Sequence, residues 1–243
     1  MRYAVFADIH SNLEAWQAVS ESFKNKRIDG FICAGDIVGY GPDPQECIKL
    51  VRGMIPAPLI VGGNHDWAVA GKLDIDYFNT YAKQAILWTK ENLSQVDKDY
   101  LGSLSLIQEG NNFTLVHGSL DQPEEFRYII DIRDAEPSFR ILEKDILFVA
   151  HSHVPFILSM KQEKMRYIEP GRLNLCEQEK YIINVGSIGQ PRDGDPRACY
   201  LIYDAEVDLV EFERVEYDIV STRRKIIKAG LPGKLADRLA VGG

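Results

Sequence analysis

The pattern of apolar and polar positions predicts alternating strand and helix through the first sixty residues. Tyr3–Ala7 is a short apolar run of β-favouring residues, and Leu13–Lys26 places Trp16, Val19 and Phe23 on one helical face. Gly30–Ala34 reads as a second buried strand. Pro44–Val51 reads as a short helix, with its proline in the tolerant first turn. Leu59–Val61 begins a third strand. This order implies a parallel sheet with right-handed crossovers. Residues 74–104 are helical in pattern and rich in aromatics (Tyr77, Phe78, Tyr81, Trp88), which suits either a helical hairpin packed on the sheet or a cap over a substrate. Strands return at Phe113–Val116 and Ile146–Ala150, with a loop and a helix between them in Ser119–Asp145. The remainder is β-rich: Ile157–Met160, Met165–Ile168, Tyr181–Val185, Cys199–Tyr203 and Leu209–Val215, the last two joined by a turn at Asp204–Asp208. Ile219–Ala229 is a basic amphipathic helix, and the residues after it read as a polar tail.

Composition adds limits. A chain of 243 residues with no compositional break fits one large α/β domain, here expected over residues 1–217 with a helical insertion at about 74–104, followed by a C-terminal helix and tail over 218–243. A net charge of −8 removes the basic surface that holds nucleic acid by counterion release, so no stable nucleic-acid binding is expected. It leaves room for a small anionic substrate if divalent cations are bound. Met1–Ala7 is too short for a signal core, and no later run is long and apolar enough to span a bilayer. The four scattered cysteines lack a C-x-x-C pair and read as reduced thiols, which predicts a cytoplasmic protein. The oligomeric state is left open.

Chemistry concentrates at one recurring place. Asp8 and His10 follow the first strand, Asp36 the second, and Asn64 and His65 the third; His117 follows Phe113–Val116, and His151 and His153 follow Ile146–Ala150. In parallel α/β sheets the carboxyl ends of the strands meet at one edge, where ligands bind. All five histidines of the chain stand at such ends. Scattered structural histidines would not. Carboxylate, imidazole and amide oxygen together suit borderline-hard divalent ions such as Mn, Fe, Zn, Co or Ni. Asn12 and Arg192 are candidate substrate contacts, although Asp193, Asp195 and Arg197 offer Arg192 an equally good surface ion-pair loop. Tyr40 is expected as an exposed turn residue, with base stacking as the alternative.

Asp8-Ile9-His10, Gly35-Asp36, Gly63-Asn64-His65-Asp66, His117-Gly118 and His151-Ser152-His153 resemble, in order and spacing, the five blocks of the calcineurin-like metallophosphoesterases. Asn184–Arg192 resembles a further block of their bacterial and archaeal small-phosphodiesterase branch. The resemblance runs from about Arg2 to Tyr217, with Ala150 where glycine usually begins the last block. It implies a four-layer α/β sandwich with two central mixed sheets. It further implies one ion on Asp8, His10, Asp36 and His153 and a second on Asp36, Asn64, His117 and His151, Mn being the first expectation. It implies a metal-bridging hydroxide as nucleophile, His65 as general acid and Asp66 as the carboxylate that orients and charges His65. The expected activity is hydrolysis of a small phosphomonoester or diester. Hydrolysis of dinucleoside polyphosphates or phosphoprotein, and a non-catalytic interaction scaffold, are the alternatives.

Overall fold

A computed structural model describes all residues, Met1–Gly243. Strand β1 (Arg2–Phe6) leads into α1 (Leu13–Phe23), then β2 (Gly30–Cys33), α2 (Pro44–Arg52), β3 (Leu59–Ile60) and α3 (Asn64–Val69). Two helices follow, α4 (Thr80–Asn92) and α5 (Gln95–Ser103), and then β4 (Ile107–Glu109), β5 (Phe113–Val116), α6 (Ile132–Ile141) and β6 (Ile146–Val149). The last part holds β7 (Phe156–Lys161), β8 (Lys164–Ile168), β9 (Arg172–Asn174), β10 (Lys180–Asn184), β11 (Ala198–Asp204) and β12 (Leu209–Val215), closed by α7 (Ile219–Lys228) and α8 (Gly233–Leu239).

The strands form two mixed sheets of six, ordered β3-β2-β1-β11-β12-β9 and β4-β5-β6-β10-β7-β8. The expected parallel start is present: β1 pairs β2, and β2 pairs β3, in parallel. The second sheet has its own parallel centre, β5-β6-β10. Side chains alternate across each strand, so Val5 and Ala7 face the other sheet while Ala4 and Phe6 face helices. Val5, Ile32 and Leu201 of the first sheet pack against Leu115, Phe148 and Ile183 of the second. Trp16 and Val19 of α1 and Ile48 of α2 cover the outer face of the first sheet, and Phe139 of α6 covers that of the second. The result is the expected four-layer sandwich.

Residues 74–104 pack on the first sheet as the hairpin reading expects: Ile86, Leu93 and Leu101 join the core on its outer side, and Phe78 and Ala82 line a cavity over the strand ends. One expectation is corrected. The residues after Ala229 are not a polar tail: α8 buries Leu235, Ala236 and Leu239 against Tyr40, Ala82 and Ala85. Leu231, Leu235 and Leu239 recur at the i, i+4, i+8 spacing of one helix face.

Candidate metal centre and its cavity

The predicted site residues are brought together. Asp8, His10, Asp36, His117, His151 and His153 are all buried at the carboxyl ends of β1, β2, β5 and β6, and Asn64 and His65 open α3 beside them. Ligand atoms of Asp8, His10 and His153 lie within 4.8 Å of one another, as do those of Asp36, His117 and His151. A third such group joins His65 to His10 and Asp36. The two carboxylates are held alike. Asp8 accepts the His151 N–H on Oδ2 (3.3 Å), and Asp36 accepts the His65 N–H on Oδ1 (2.9 Å). The other oxygen of each, Asp8 Oδ1 and Asp36 Oδ2, is buried without a hydrogen-bond partner.

The imidazoles complement those bare oxygens. Nδ1 of His10, His117 and His153 lies 3.0, 2.6 and 2.6 Å from the carbonyls of Val38, Ala34 and Gln190. A carbonyl only accepts, so each Nδ1 carries the proton and each Nε2 turns its lone pair inward. Nε2 of His10 and His153 then face one another at 3.0 Å, each 3.6 Å from Asp8 Oδ1. His117 Nε2 stands 3.3 Å from Asp36 Oδ2 and 3.2 Å from Asn64 Oδ1. Buried lone pairs converging on bare carboxylate oxygens are stable only around positive charge. The donor set suits divalent metal: Asp8, His10 and His153 form one group that could hold an ion, and Asp36, His117 and His151, with Asn64 beside His117, form another. No cysteine belongs to these groups.

Without such ions, protons supply the charge. Burial pushes the Asp8 carboxyl up to about 8, against the opposing pull of His117. Burial would lower His117, yet the Asp36 carboxylate outweighs it and raises this imidazole to about 9. Metal binding must displace those protons. Metal affinity is therefore expected to fall by about tenfold per displaced proton for each pH unit below about 8. Calorimetry in buffers of different ionisation enthalpy should show net proton release. Affinity that stays flat from about pH 6 to 9 would contradict this account.

The backbone is strained where the ligands stand. Asp8, His10, Asp36, His151 and His153 all have φ between 48° and 68°, a left-handed region that non-glycine residues seldom enter. Inter-loop bonds hold them there, such as His10 N–H to Asp36 O (3.1 Å) and Asp8 N–H to Gly35 O (2.9 Å). Gly63 leaves room for the Asp36 carboxylate, because a Cβ there would overlap Asp36 Oδ1. Ala150 is outside the left-handed region, so its methyl group meets no backbone penalty. The Asn184–Arg192 segment supports the cluster from below: Ser187 donates to Asp8 O, and Gln190 O fixes His153.

Three assignments change. Asn12 does not face the cavity. It caps α1 by accepting the Ala15 N–H (3.2 Å), and its amide donates to Gly189 O (2.9 Å). Thr222 donates to the same Oδ1, tying α7 to this corner. Asn12→Ala is expected to lower stability by about 1 kcal/mol or more with KM unchanged, readable from denaturant midpoints alongside kinetics. Asp66 does not orient His65. One residue further round α3, it accepts the N–H groups of Gly63 (3.1 Å) and Val38 (3.2 Å), joining the loops after β2 and β3. The carboxylate near His65 is Asp36. Tyr40 is buried, not exposed: its ring lies 4.6 Å from His10 and 4.4 Å from His65, backed by α8.

Arg192 faces the cavity. Its Nη2 donates to Gln190 Oε1 (2.9 Å) and its guanidinium lies 5.6 Å from the Tyr40 ring centre. The ion-pair loop excludes it, since Asp193 pairs with Arg214 and Asp195 with Arg197. The cavity, about 730 Å³, opens over Asp36, Asn64, His65, His151 and His153. Sequence reasoning did not single out Phe126 or Tyr128 on its wall. Tyr128 stacks on His151 with ring centres 3.9 Å apart.

The calcineurin-like phosphoesterase superfamily domain matches residues 1–208 of the chain. An uncharacterized protein of Methanocaldococcus jannaschii is 43% identical over 244 residues, covering 98% of this chain and 97% of that protein. The crystal structure of a metallophosphoesterase from Sphaerobacter thermophilus is 40% identical and superposes with a TM-score of 0.86 over 100% of this chain and 99% of that one. A hypothetical protein from Pyrococcus horikoshii shares the fold at 24% identity, with a TM-score of 0.81 over 100% of this chain and 98% of that one. With a matching domain over most of its length and close relatives along all of it, the chain belongs to the calcineurin-like phosphoesterase superfamily.

Proposed function

We propose that the protein hydrolyses small phosphoesters, diesters or monoesters, at a centre of two divalent ions, with Mn the first expectation and Fe, Zn, Co or Ni as alternatives. The observation that carries this reading is the arrangement of paired bare oxygens, Asp8 Oδ1 and Asp36 Oδ2, facing three Nε2 lone pairs, next to an open cavity that Asp36 and His153 line. When bound, the ions supply Lewis acidity: they lower the pKa of water and neutralise charge on phosphoryl oxygens.

The chain's own residues do the rest. Asp36 stands between the two ligand groups and fixes their spacing, its second oxygen pinned by the His65 N–H. Arg192, with buried Nε unpartnered, offers a fork to a phosphoryl oxygen. His65 protonates the leaving alcohol oxygen as the phosphorus–oxygen bond breaks. Burial lowers its imidazole to about 4, while the Asp36 carboxylate pulls the other way. The ring is therefore uncharged in the free protein, and the arriving phosphoryl anion adds the negative charge that favours its protonation. Its ring lines the cavity, while its Nδ1 is buried beside Gly39 without a hydrogen-bond partner.

A hydrolysis screen tests the reading: an aryl monoester, an aryl diester and a dinucleoside tetraphosphate, each with Mn, Ni, Co and Mg. Turnover with at least one transition metal, lost on chelation and regained on re-addition, is expected. Arg192→Ala is expected to raise KM more than it lowers kcat, by roughly tenfold for a charge-assisted bond. Absence of turnover under every condition would refute the proposal.

A further inference from the structure

Arg192 is the only arginine or lysine on the cavity wall, so whatever fixes its position decides where a phosphoryl group meets a cationic side chain. The backbone around it is tied at two points. Its own N–H donates to His153 O (3.2 Å), and two residues on, the Gly194 N–H donates to Gly242 O (2.8 Å). Gly242 is buried, has a φ of 63° and lies directly against this loop. A Cβ at Gly242 would stand 2.6 Å from the Asp195 carbonyl carbon and 2.7 Å from its nitrogen. Both the left-handed backbone and the close approach require glycine. The Arg192 side chain is supported from a second direction. Its guanidinium lies over the Tyr40 ring, and Tyr40 shares one apolar cluster with Leu231, Leu235 and Leu239. The void between His10, Tyr40, Leu235 and Leu239 is about 10 Å³, room for one water at most, so the ring has little freedom to move.

One segment, from Leu231 to Gly242, therefore reaches Arg192 twice from outside the cavity, through the backbone at Gly194 and through the ring of Tyr40. No site motif in the sequence includes that segment. The metal ligands have separate ties. Gln190 O, which fixes His153, belongs to a residue whose own N–H donates to Ser187 Oγ (3.0 Å). Loosening the segment thus acts on Arg192 before it acts on the ligands. A guanidinium already held in place loses less rotamer freedom when an anion arrives. We propose that Gly242 and Leu239 are positioning residues that hold Arg192 ready for a phosphoryl group. This rests on the phosphoesterase reading and deepens it by naming what sets the substrate-binding arginine.

The test uses the full chain with Mn and bis(p-nitrophenyl) phosphate. Gly242→Val is expected to raise KM on the order of threefold, with kcat within about twofold and metal content unchanged. The pair Asp193–Arg214 still ties the loop to β12, so the variant should fold. Gly242→Ala, a smaller intrusion at the same φ, serves if it does not. The coupling decides the matter: in an Arg192→Ala background, Gly242→Val should leave KM unchanged, because the group it acts through is gone. A second measurement needs neither metal nor turnover. Arg192 Nε is buried, so its N–H should exchange slowly in nitrogen-15 NMR of the metal-free protein, with the signal assigned by its loss in Arg192→Lys. Exchange should quicken in Gly242→Val and in Leu239→Ala. Independent, additive effects of Gly242→Val and Arg192→Ala on KM overturn the proposal, as does unchanged Nε exchange in both variants; either result leaves the phosphoesterase reading standing. If no ester is turned over with any metal, that broader reading fails, and the exchange measurement still decides whether this segment holds Arg192.

Discussion

Asp36→Ala is expected to abolish tight binding of both divalent ions and to remove phosphodiester turnover with them. Asp36 is the side chain we assign to both ligand groups, with Oδ2 at 3.3 Å from His117 Nε2 and 3.6 Å from His10 Nε2, closer to His117 than Asp8 Oδ1 at 4.0 Å. Loss of a residue that merely orients a metal ligand weakens metal affinity by roughly 10–100-fold, and loss of a shared ligand should exceed that. Asp8, His10 and His153 would keep one incomplete set, so partial occupancy at high metal concentration is expected before any recovery of rate. The metal-free variant should fold. Asp36 adds to the rise of the buried Asp8 carboxyl, so its removal eases that site, and His117, which the Asp36 carboxylate holds up, can then give up its proton. The loss of an acceptor for the His65 N–H acts in the opposite direction. Elemental analysis and thermal unfolding with and without Mn measure these effects. A variant that retained two ions per chain would contradict the assignment of Asp36 as the shared ligand.

His65→Ala should separate metal binding from catalysis. Its ring is packed among His10, Tyr40 and Phe78, with ring centres at 4.8, 4.4 and 5.3 Å, and belongs to neither of the two assigned ligand sets. Metal content is expected to stay at the wild-type value while kcat falls by roughly 10²–10⁴-fold, the usual worth of a positioned general acid. The loss should depend on the leaving group. An alkoxide needs the proton and p-nitrophenolate scarcely does, so the ratio of wild-type to variant rate should be largest for alkyl esters. A uniform loss across leaving groups would mean that His65 positions other groups and donates no proton.

Much of the site is legible in the order of residues along the chain. Each ligand follows an apolar strand, and parallel strands deliver their carboxyl ends to one edge, so periodicity alone brings distant residues to one place. Three further features are not legible there, for three physical reasons. The tautomers of His10, His117 and His153 depend on carbonyls 28, 83 and 37 residues away in sequence. The positive φ values at Asp8, His10, Asp36, His151 and His153 come from hydrogen bonds between loops, which local propensity argues against. Asn12 and Asp66 resemble site residues because they stand inside site motifs, but their side chains face backbone N–H groups and support the loops. Short polar side chains at helix starts do this as readily as they meet substrate.

The C-terminal segment shows the same division. Leu231, Leu235 and Leu239 are visible as a helix-spaced face, yet their burial depends on what that face meets. It meets Tyr40 and α4, which puts the end of the chain behind a ring that touches two site histidines and faces Arg192. Sequence by itself determined the alternation of strands and helices, the strand-end position of every metal-ligand candidate and the kind of ion they suit. These follow from local periodicity and from the chemistry of the side chains. Tertiary structure alone decided which oxygen and nitrogen atoms remain bare, which candidates turn away to cap helices, and what the C-terminal segment packs against. Those depend on contacts between segments far apart in the chain, which local pattern does not encode.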